Sequence, residues 1–175
     1  MSIRPARVED FEAIAAITNH YIATTAIHFG YEPVTAGELV KYFGGKHPWF
    51  VTTSEAGEVL GYAKAGTWRD RAAYAWTCEL GLYIADGARG RGLGRALYDV
   101  LLADLEQRGF RSAVAGITMP NAASVALHER CGFTRVGTFV DAGWKLGAWH
   151  AVEFWQKPLA RVQGEPPVLA EGPRH

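Results

Sequence analysis

Apolar residues recur at a spacing of three to four along two long stretches of this chain, Glu9–Ala23 and Leu93–Arg108. That spacing predicts two amphipathic helices. Two shorter helices are predicted by their caps. Thr35 with Glu38 forms a capping box for a helix that ends at Phe43, and Asn121 is placed as the N-cap of a helix that ends at Arg130.

Alternating or short continuous apolar runs between these helices predict strands. The predicted strands are Ser2–Ala6, Trp49–Thr53, Val59–Trp68, 76–84, Ser112–Ile117, Thr134–Val140 and Trp149–Gln156. A loop is expected over Asp141–Gly147, between the last two of them. The resulting order predicts the α/β class, with a mixed sheet and helices on its faces.

Composition limits the class of protein further. The 175 residues have a formal net charge of zero, which gives no indication of a nucleic-acid or anionic-membrane partner. The chain has no apolar run of about 18 residues and no hydrophobic signal segment at its start, so a cytoplasmic protein is expected. The two cysteines lack metal-ligand spacing, which predicts buried thiols in a reducing compartment. We expect one domain over 1–157 and a disordered tail over 158–175, which is rich in Pro, Gly and Glu.

The stretch between the strand at 76–84 and the helix from Leu93 is rich in glycine and arginine. A loop that leads into a helix directs free backbone N–H groups and the positive end of the helix dipole at one spot, which attracts phosphate. The sequence does not match a Walker-type loop, and Arg95 stands where a dinucleotide fingerprint requires its third glycine. Either a phosphate-binding loop of another type or an ordinary solvated turn fits these residues.

Glu79 is a carboxylate within a strand that is otherwise apolar. Alternation puts Glu79 on the face opposite Cys78, Leu80, Leu82 and Ile84. A partly buried carboxylate has a raised pKa, which suits a general base, whereas an ion pair with an arginine, such as Arg71, is the structural alternative.

Asn121, Ser124 and His128 share one face of the last predicted helix, because they are three and seven residues apart. This polar stripe is either a solvated helix face or a contact with a cofactor, with His128 as a proton donor. None of the six histidines has the spacing of a metal site, so no metal is expected.

The segment Arg89-x-x-Gly92-x-Gly94 resembles the pyrophosphate-binding loop of the GNAT superfamily of N-acyltransferases, and 121–133 resembles the second signature of that family. The resemblance covers about residues 2–157. It implies a central, mostly antiparallel sheet with one splayed strand pair, and acetyl-CoA as co-substrate. It implies that acetyl-CoA is bound by Leu82, Tyr83, Ile84, Arg89, Gly90, Arg91, Gly92, Leu93, Gly94, Arg95, Ala96, Asn121, Ser124 and His128.

A narrower resemblance, to the phosphinothricin and methionine sulfoximine acetyltransferases, rests on the segments 19–29, 68–79 and 147–156. It implies that Glu79 is the base, that His128 stands where most GNAT enzymes have Tyr, and that the protein is a homodimer. The acceptor pocket would be formed by Phe29, Arg69, Arg71, Tyr74 and Val152. The chain departs from the subgroup at Gly30, Gly81 and Ala151, which bears on the exact substrate.

The expected function is therefore acetyl transfer from acetyl-CoA to the amino group of a small amino acid or analogue. In this mechanism Glu79 takes the proton of the amine, a strand amide near Leu82 or Tyr83 stabilises the oxyanion, and His128 protonates the leaving thiolate. The alternatives are an acetyltransferase for another primary amine, such as a polyamine or aminoglycoside, and an acetyl-CoA-binding protein without turnover.

Overall fold

The computed structural model describes residues 1–159 and 164–171. The helices are α1 (Phe11–Thr24), α2 (Ala36–Val40), α3 (Leu93–Gln107) and α4 (Ala122–Arg130). The strands are β1 (Ser2–Pro5), β2 (Trp49–Thr53), β3 (Val59–Thr67), β4 (Thr77–Ile84), β5 (Ser112–Thr118), β6 (Thr134–Lys145) and β7 (Ala148–Pro158). Both predicted N-caps are confirmed, because the side chains of Thr35 and Asn121 accept hydrogen bonds from the amides of Glu38 and Ser124.

The strands form one seven-stranded sheet in the order β1-β2-β3-β4-β5-β7-β6. All neighbours are antiparallel except β4 and β5, which are parallel and pair from Thr77–Ser112 only as far as Glu79–Val114. Beyond Glu79 the two strands diverge, and the backbone groups on their facing edges lose each other as partners. The predicted mixed sheet with one splayed strand pair is therefore confirmed.

Helices cover both faces of the sheet, each over its own apolar core. On one face α3 packs on Cys78, Leu80 and Ile84 of β4, as the alternation of this strand predicts. On the other face α1 and α2 pack on β2 and β3, with Tyr83 of β4 at the edge of this second core. Glu79 lies on the second face, where the helices leave the middle of β4 uncovered, so the fold directs this carboxylate into a cavity.

The predicted loop at Asp141–Gly147 is wrong for most of its length, because β6 continues to Lys145 and only a tight turn separates it from β7. The register shifts between Phe139 and Gly143, which marks a bulge in β6. The bulge accommodates the polar and glycine residues that indicated a loop. The hairpin of β6 and β7 thus forms one edge of the sheet.

The segment 158–175, predicted to be disordered, lies partly outside the described residues. In its described part, the Pro167 carbonyl accepts a hydrogen bond from Trp76 Nε1 at 2.8 Å, and the Ala170 amide donates to the Arg108 carbonyl at 3.1 Å. Leu159 is buried in the α3 core, and Leu169 packs against that core.

Three findings bear on the class of protein. Both cysteines are buried free thiols, as predicted. Within residues 1–159 and 164–171, no group of His, Cys, Asp or Glu is arranged to hold a metal ion. In the same part of the chain, no helix combines the length and the apolar character that crossing a membrane requires.

Candidate active site

Glu79 is the last residue of β4 that pairs with β5, so its carboxylate stands where the two strands separate. A Cβ built on Gly116 of β5 would lie 3.8 Å from Glu79 Oε1, so the missing side chain at Gly116 leaves space beside the carboxylate. Burial raises the pKa of Glu79, and the nearby Lys64 ammonium opposes this shift. A half-buried carboxylate with a raised pKa beside open space has the properties of a general base.

Lys64, rather than Arg71, is the cation whose charge acts on Glu79. Lys64 lies on β3 directly across from Gly81, and a Cβ built on Gly81 would be only 3.3 Å from Lys64 Cε. The absence of a side chain at Gly81 therefore gives the lysine room to lie across β4. No ion pair joins Arg71 or another arginine to Glu79 in the described residues, so an arginine ion pair as the structural alternative for Glu79 is wrong.

A narrow cleft of about 80 Å³ occupies the gap between β4 and β5. Its lining brings together Leu82 and Tyr83 of β4 with the three polar residues predicted on α4, namely Asn121, Ser124 and His128. The side chain of Ile84 instead packs in the α3 core. The polar stripe on α4 is therefore a wall of the cleft, and the solvated-face interpretation is wrong for the buried His128.

The amide of Leu82 points into this cleft. The Ala85 amide donates to the Leu60 carbonyl on the β3 side, and amide directions alternate along a strand, so Tyr83 faces β3 and Leu82 faces β5. Because β5 has already diverged at this level, no β5 residue pairs with Leu82. Of the two predicted oxyanion donors, Leu82 is the one with a backbone N–H directed at the cleft.

His128 lies buried at the bottom of the cleft with both ring nitrogens engaged. Nδ1 is 2.8 Å from the Ser124 carbonyl, which can only accept, so this nitrogen carries a proton. Nε2 is 3.1 Å from the Tyr98 hydroxyl, which also lines the cleft. Burial lowers the pKa of His128, and the hydrogen bond to Ser124 partly offsets that effect. The histidine is therefore held with Nε2 as its exchangeable position.

The glycine loop before α3 provides a row of free amides. Gly90 and Gly92 adopt φ of 73° and 76°, a conformation that favours glycine. In the described chain, the amides of 90–95 donate no hydrogen bond, whereas that of Ala96 donates to the Gly92 carbonyl at 3.2 Å. A Cβ on Gly94 would lie 3.4 Å from the side chain of Leu82, so the loop adjoins the cleft. Free amides at a helix start beside a cleft can bind an anion.

The arginines of this loop differ in how they are engaged. Arg89 pairs with Asp86 at 2.8 Å, and Arg91 lies exposed against Met1. Arg95 binds Asp99 at 2.8 Å and also the carbonyl of Arg130, which directs it away from the loop amides. The backbone amides, rather than Arg95, are therefore the main donors that face an anion here.

A second cavity, of about 570 Å³, opens beside Glu79. It is lined by three of the predicted acceptor residues, Phe29, Arg69 and Val152, together with Glu79 itself. The other two, Arg71 and Tyr74, line an adjacent open depression that they share with Arg69 and Trp68. Arg69 lines both spaces and therefore stands at their junction. Its guanidinium lies 4.6 Å from the centroid of the Trp68 ring.

The loop that carries Phe29 is fixed to the β6–β7 hairpin. Lys145 is 3% exposed, and its Nζ donates to the carbonyls of Ile22, His28 and Gly30. The Phe29 ring lies flat on Gly143, where an added Cβ would be 2.7 Å from the ring Cζ. One wall of this second cavity is therefore held by contacts to the hairpin, although the sequence gives no local pattern for them.

Three residues of the site were not singled out from the sequence. Lys64 is a charge within the apolar strand 59–67, Gly116 is a glycine within a buried strand, and Tyr98 is a polar group on the apolar face of α3. For Lys64 and Gly116 the available signal was a charge or a glycine inside a buried strand. Its meaning depends on the strand register, which the pattern does not contain.

A sequence model of the acetyltransferase (GNAT) family matches residues 14–133. The phosphinothricin N-acetyltransferase of Streptomyces viridochromogenes is 44% identical over 160 residues, covering 90% of this chain and 87% of that protein. The L-methionine sulfoximine/L-methionine sulfone acetyltransferase of Pseudomonas aeruginosa is 36% identical over 169 residues, covering 94% and 98% respectively.

Among solved structures, a GNAT superfamily phosphinothricin acetyltransferase from Sinorhizobium meliloti in complex with AcCoA superposes with a TM-score of 0.90. It is 30% identical, and the match covers 95% of this chain and 92% of that one. The resemblance noted in the sequence therefore extends to the whole architecture.

Proposed function

This chain belongs to the acetyltransferase (GNAT) family, and we propose that it moves an acetyl group from acetyl-CoA to the amino group of a small amino acid analogue of the phosphinothricin or methionine sulfoximine type. The observation that carries the proposal is the position of Glu79. It is a half-buried carboxylate that lines the cavity we assign to the amine, and it stands at the point where β4 and β5 separate to form the cleft we assign to the thioester. Relatives with those two substrate names support the acceptor class.

Acetyl-CoA would lie in the cleft between β4 and β5. Its pyrophosphate would bind the free amides between Gly90 and Arg95, with Arg89 and Arg91 as nearby cations. Asn121 and Ser124 would contact the thioester arm where it enters the cleft. The thioester carbonyl would then come close to the point where the strands separate, next to Glu79.

Glu79 would act as the general base. An amine with a pKa near 9 is mostly protonated at neutral pH and cannot attack, so its proton must be taken up, directly or through a water. The raised pKa of Glu79 makes this carboxylate a stronger base than an exposed one. The freed nitrogen would attack the thioester carbon, and the Leu82 amide would stabilise the oxyanion that forms.

His128 would protonate the CoA thiolate as it leaves. Because its Nδ1 proton is held by the Ser124 carbonyl, the proton that it gives must be carried on Nε2, the nitrogen on the Tyr98 side. A pKa lowered by burial makes the doubly protonated ring a stronger acid toward the thiolate, and the same shift leaves the ring mostly neutral at neutral pH before the thiolate forms. Tyr98 would keep the ring oriented through its hydroxyl.

The acceptor would occupy the cavity of Phe29, Arg69 and Val152. Arg69 would bind the anionic or polar end of the acceptor side chain, because a guanidinium matches phosphinate and sulfone oxygens. Arg71 and Tyr74 would contact a longer side chain that reaches the adjacent depression. A cationic polyamine is disfavoured by the arginines, because like charges repel.

Thiol release from acetyl-CoA tests the acceptor class. The panel contains phosphinothricin, methionine sulfoximine, methionine sulfone, common amino acids, spermidine and an aminoglycoside. Turnover on the first three supports the proposal. Turnover on spermidine alone would keep the fold and the base but reject the acceptor, and acetyl-CoA binding without turnover on any amine would indicate a binding protein.

Glu79→Gln tests the base in the same assay. The variant keeps the size and hydrogen bonding of the side chain but cannot take up a proton, so kcat should fall by roughly a hundred- to ten-thousand-fold. Binding of acetyl-CoA should be unchanged, which is the control for folding. Near-full kcat at neutral pH would contradict the assignment.

We also propose that the protein is a homodimer. The β6–β7 hairpin exposes six large apolar side chains, an unusual number for one edge of a monomer. They are Val136, Phe139, Val140, Trp144, Leu146 and Trp149. Phe139 also lines the acceptor cavity, so a second copy on this face would cover the cavity rim. Light scattering should give the mass of a dimer for the wild type and of a monomer for Trp149→Glu, and a monomeric wild type at micromolar concentration would reject the proposal.

A further inference from the structure

We propose that Lys64 binds the carboxylate of the acceptor and so makes this enzyme selective for amines that carry a carboxylate next to the amino group. The inference rests on the proposed function, because an amino-acid acceptor brings such a carboxylate beside the reacting nitrogen. It concerns a residue that the sequence signatures do not include.

Lys64 reaches the reaction centre across the sheet. It lies on β3 opposite Gly81, and its side chain occupies the space beside β4 that a side chain at Gly81 would take. Its ammonium lies 4.8 Å from the centroid of the Trp49 ring, which fixes its direction. Lys64 and Glu79 then line the same cavity, of about 860 Å³.

The N–H donors of the Lys64 ammonium are not used in hydrogen bonds with the described residues. In residues 1–159 and 164–171 it makes no hydrogen bond and no ion pair, and Trp49 and the charge of Glu79 are its partners. Lys145 provides a comparison within the same molecule, because all three of its donors meet backbone carbonyls. A half-buried ammonium without hydrogen-bond acceptors is costly unless something binds it. The structure thus holds Lys64 ready for a ligand anion.

The chemistry of an amino acid fits this arrangement. In an α-amino acid the carboxylate is attached to the carbon that bears the amine, so a nitrogen placed at Glu79 brings the carboxylate within a few ångströms of it. A cation is needed at that distance, and Arg71 lines a different depression. Lys41 and Lys64 both line the cavity that contains Glu79, and Lys64 is the one whose charge acts on Glu79. Asp70 is the other acid in this lining. Arg69 stays available for the far end of the acceptor.

The two cations would divide the acceptor between them. Lys64 would bind the α-carboxylate on one side of Glu79, and Arg69 would bind the distal polar group on the other side. The positive charge of Lys64 would also lower the pKa of the acceptor amine, because two like charges close together disfavour protonation. Selectivity would then come from the requirement that both ends of the acceptor are matched.

Paired acceptors that differ only at the carboxylate test this. Methionine sulfone and its α-carboxamide are compared as substrates for the wild type, Lys64→Met, Lys64→Arg and Lys46→Met. Lys46 serves as the control because it does not line this cavity. Lys64→Arg keeps the charge and shows whether a folded protein with a cation at this position recovers the selectivity. Thermal denaturation of each variant reports folding independently.

The expected result is selective for the carboxylate. Loss of a charged hydrogen bond should raise KM for methionine sulfone by roughly 10- to 100-fold in Lys64→Met, with KM for the carboxamide and for acetyl-CoA little changed. Lys64→Arg should recover part of the loss, and Lys46→Met should behave as the wild type.

Two other outcomes are distinct from each other. If the wild type acetylates methionine sulfone but Lys64→Met affects both acceptors equally, or neither, the role of Lys64 is rejected and the proposed function stands. If the wild type acetylates no amino acid at all, the proposed function fails and the role of Lys64 fails with it.

Discussion

Replacing Lys145 with methionine should weaken the protein and its acceptor site together. The ammonium of Lys145 is almost fully buried and donates to the carbonyls of Ile22, His28 and Gly30, with Nζ 2.6 Å from the first and 2.8 Å from the last. Methionine has a similar length and an apolar end, so the substitution removes the donors without leaving a large cavity.

The cost follows from the three carbonyls. Each carbonyl loses a hydrogen-bond donor in a place that water reaches poorly. At about 1 kcal/mol per carbonyl, the free energy of unfolding should fall by about 3 kcal/mol in all. For a domain of this size, a loss of 1 kcal/mol in the free energy of unfolding lowers Tm by about 2–4 °C, so Tm should fall by about 6–12 °C. Because two of the carbonyls belong to the loop of Phe29, KM for the acceptor should rise while KM for acetyl-CoA stays constant.

Thermal denaturation and steady-state kinetics measure these two effects. Lys157→Met is the matched control, because Lys157 Nζ makes one such bond, to the Cys131 carbonyl at 2.8 Å, and should cost about a third as much. A Lys145→Met protein that melts within about 2 °C of the wild type would refute the reasoning. An equal rise of both KM values would refute its link to the acceptor loop.

Three further predictions concern the centre of the site and its loop. Folding raises the pKa of Glu79 above 4.5, so its ionisation costs stability as the pH rises. Glu79→Gln should therefore raise Tm at pH 7 and leave it unchanged below pH 4.5, and an unchanged Tm at pH 7 would argue against desolvation. His128→Phe should lower kcat by roughly a hundredfold and remove one limb of its pH profile, and an intact profile would exclude the acid role. Gly92→Ala places a side chain at φ 76° and should cost about 1–2 kcal/mol in denaturant unfolding. Gly37→Ala, in an open helical position, should instead be neutral or stabilising, and equal losses in both variants would contradict the argument from φ.

The sequence predicted those parts of the fold in which a local rule determines the result. The capping residues Thr35 and Asn121 satisfy backbone amides a few positions away, so their role can be identified from spacing alone. The alternation in β4 separates core from cavity for the same local reason. Both strands of the β6–β7 hairpin were predicted, but the continuation of β6 to Lys145 was not, because a bulge near Gly143 interrupts its period and several of its apolar residues are exposed.

The site was predictable where one element carries it and unpredictable where two elements meet. Glu79 and the stripe that ends at His128 each follow from the periodicity of a single strand or helix. The placement of Lys64 depends on its facing Gly81 across β3 and β4, and the contacts of Lys145 depend on a loop more than a hundred residues earlier in the chain. Such contacts arise from register and tertiary packing, which a single sequence does not encode in a local pattern.

The contact between Phe29 and Gly143 has a consequence for how this enzyme can change over evolutionary time. A methyl group at position 143 would have to displace the aromatic ring by roughly an ångström to reach normal packing distance. That ring lines the cavity that we propose for the acceptor, so a single codon change outside the residues proposed for catalysis would alter the shape of that cavity. New substrate preferences can thus emerge through one neutral-looking alanine, with the acetyl-transfer chemistry left intact.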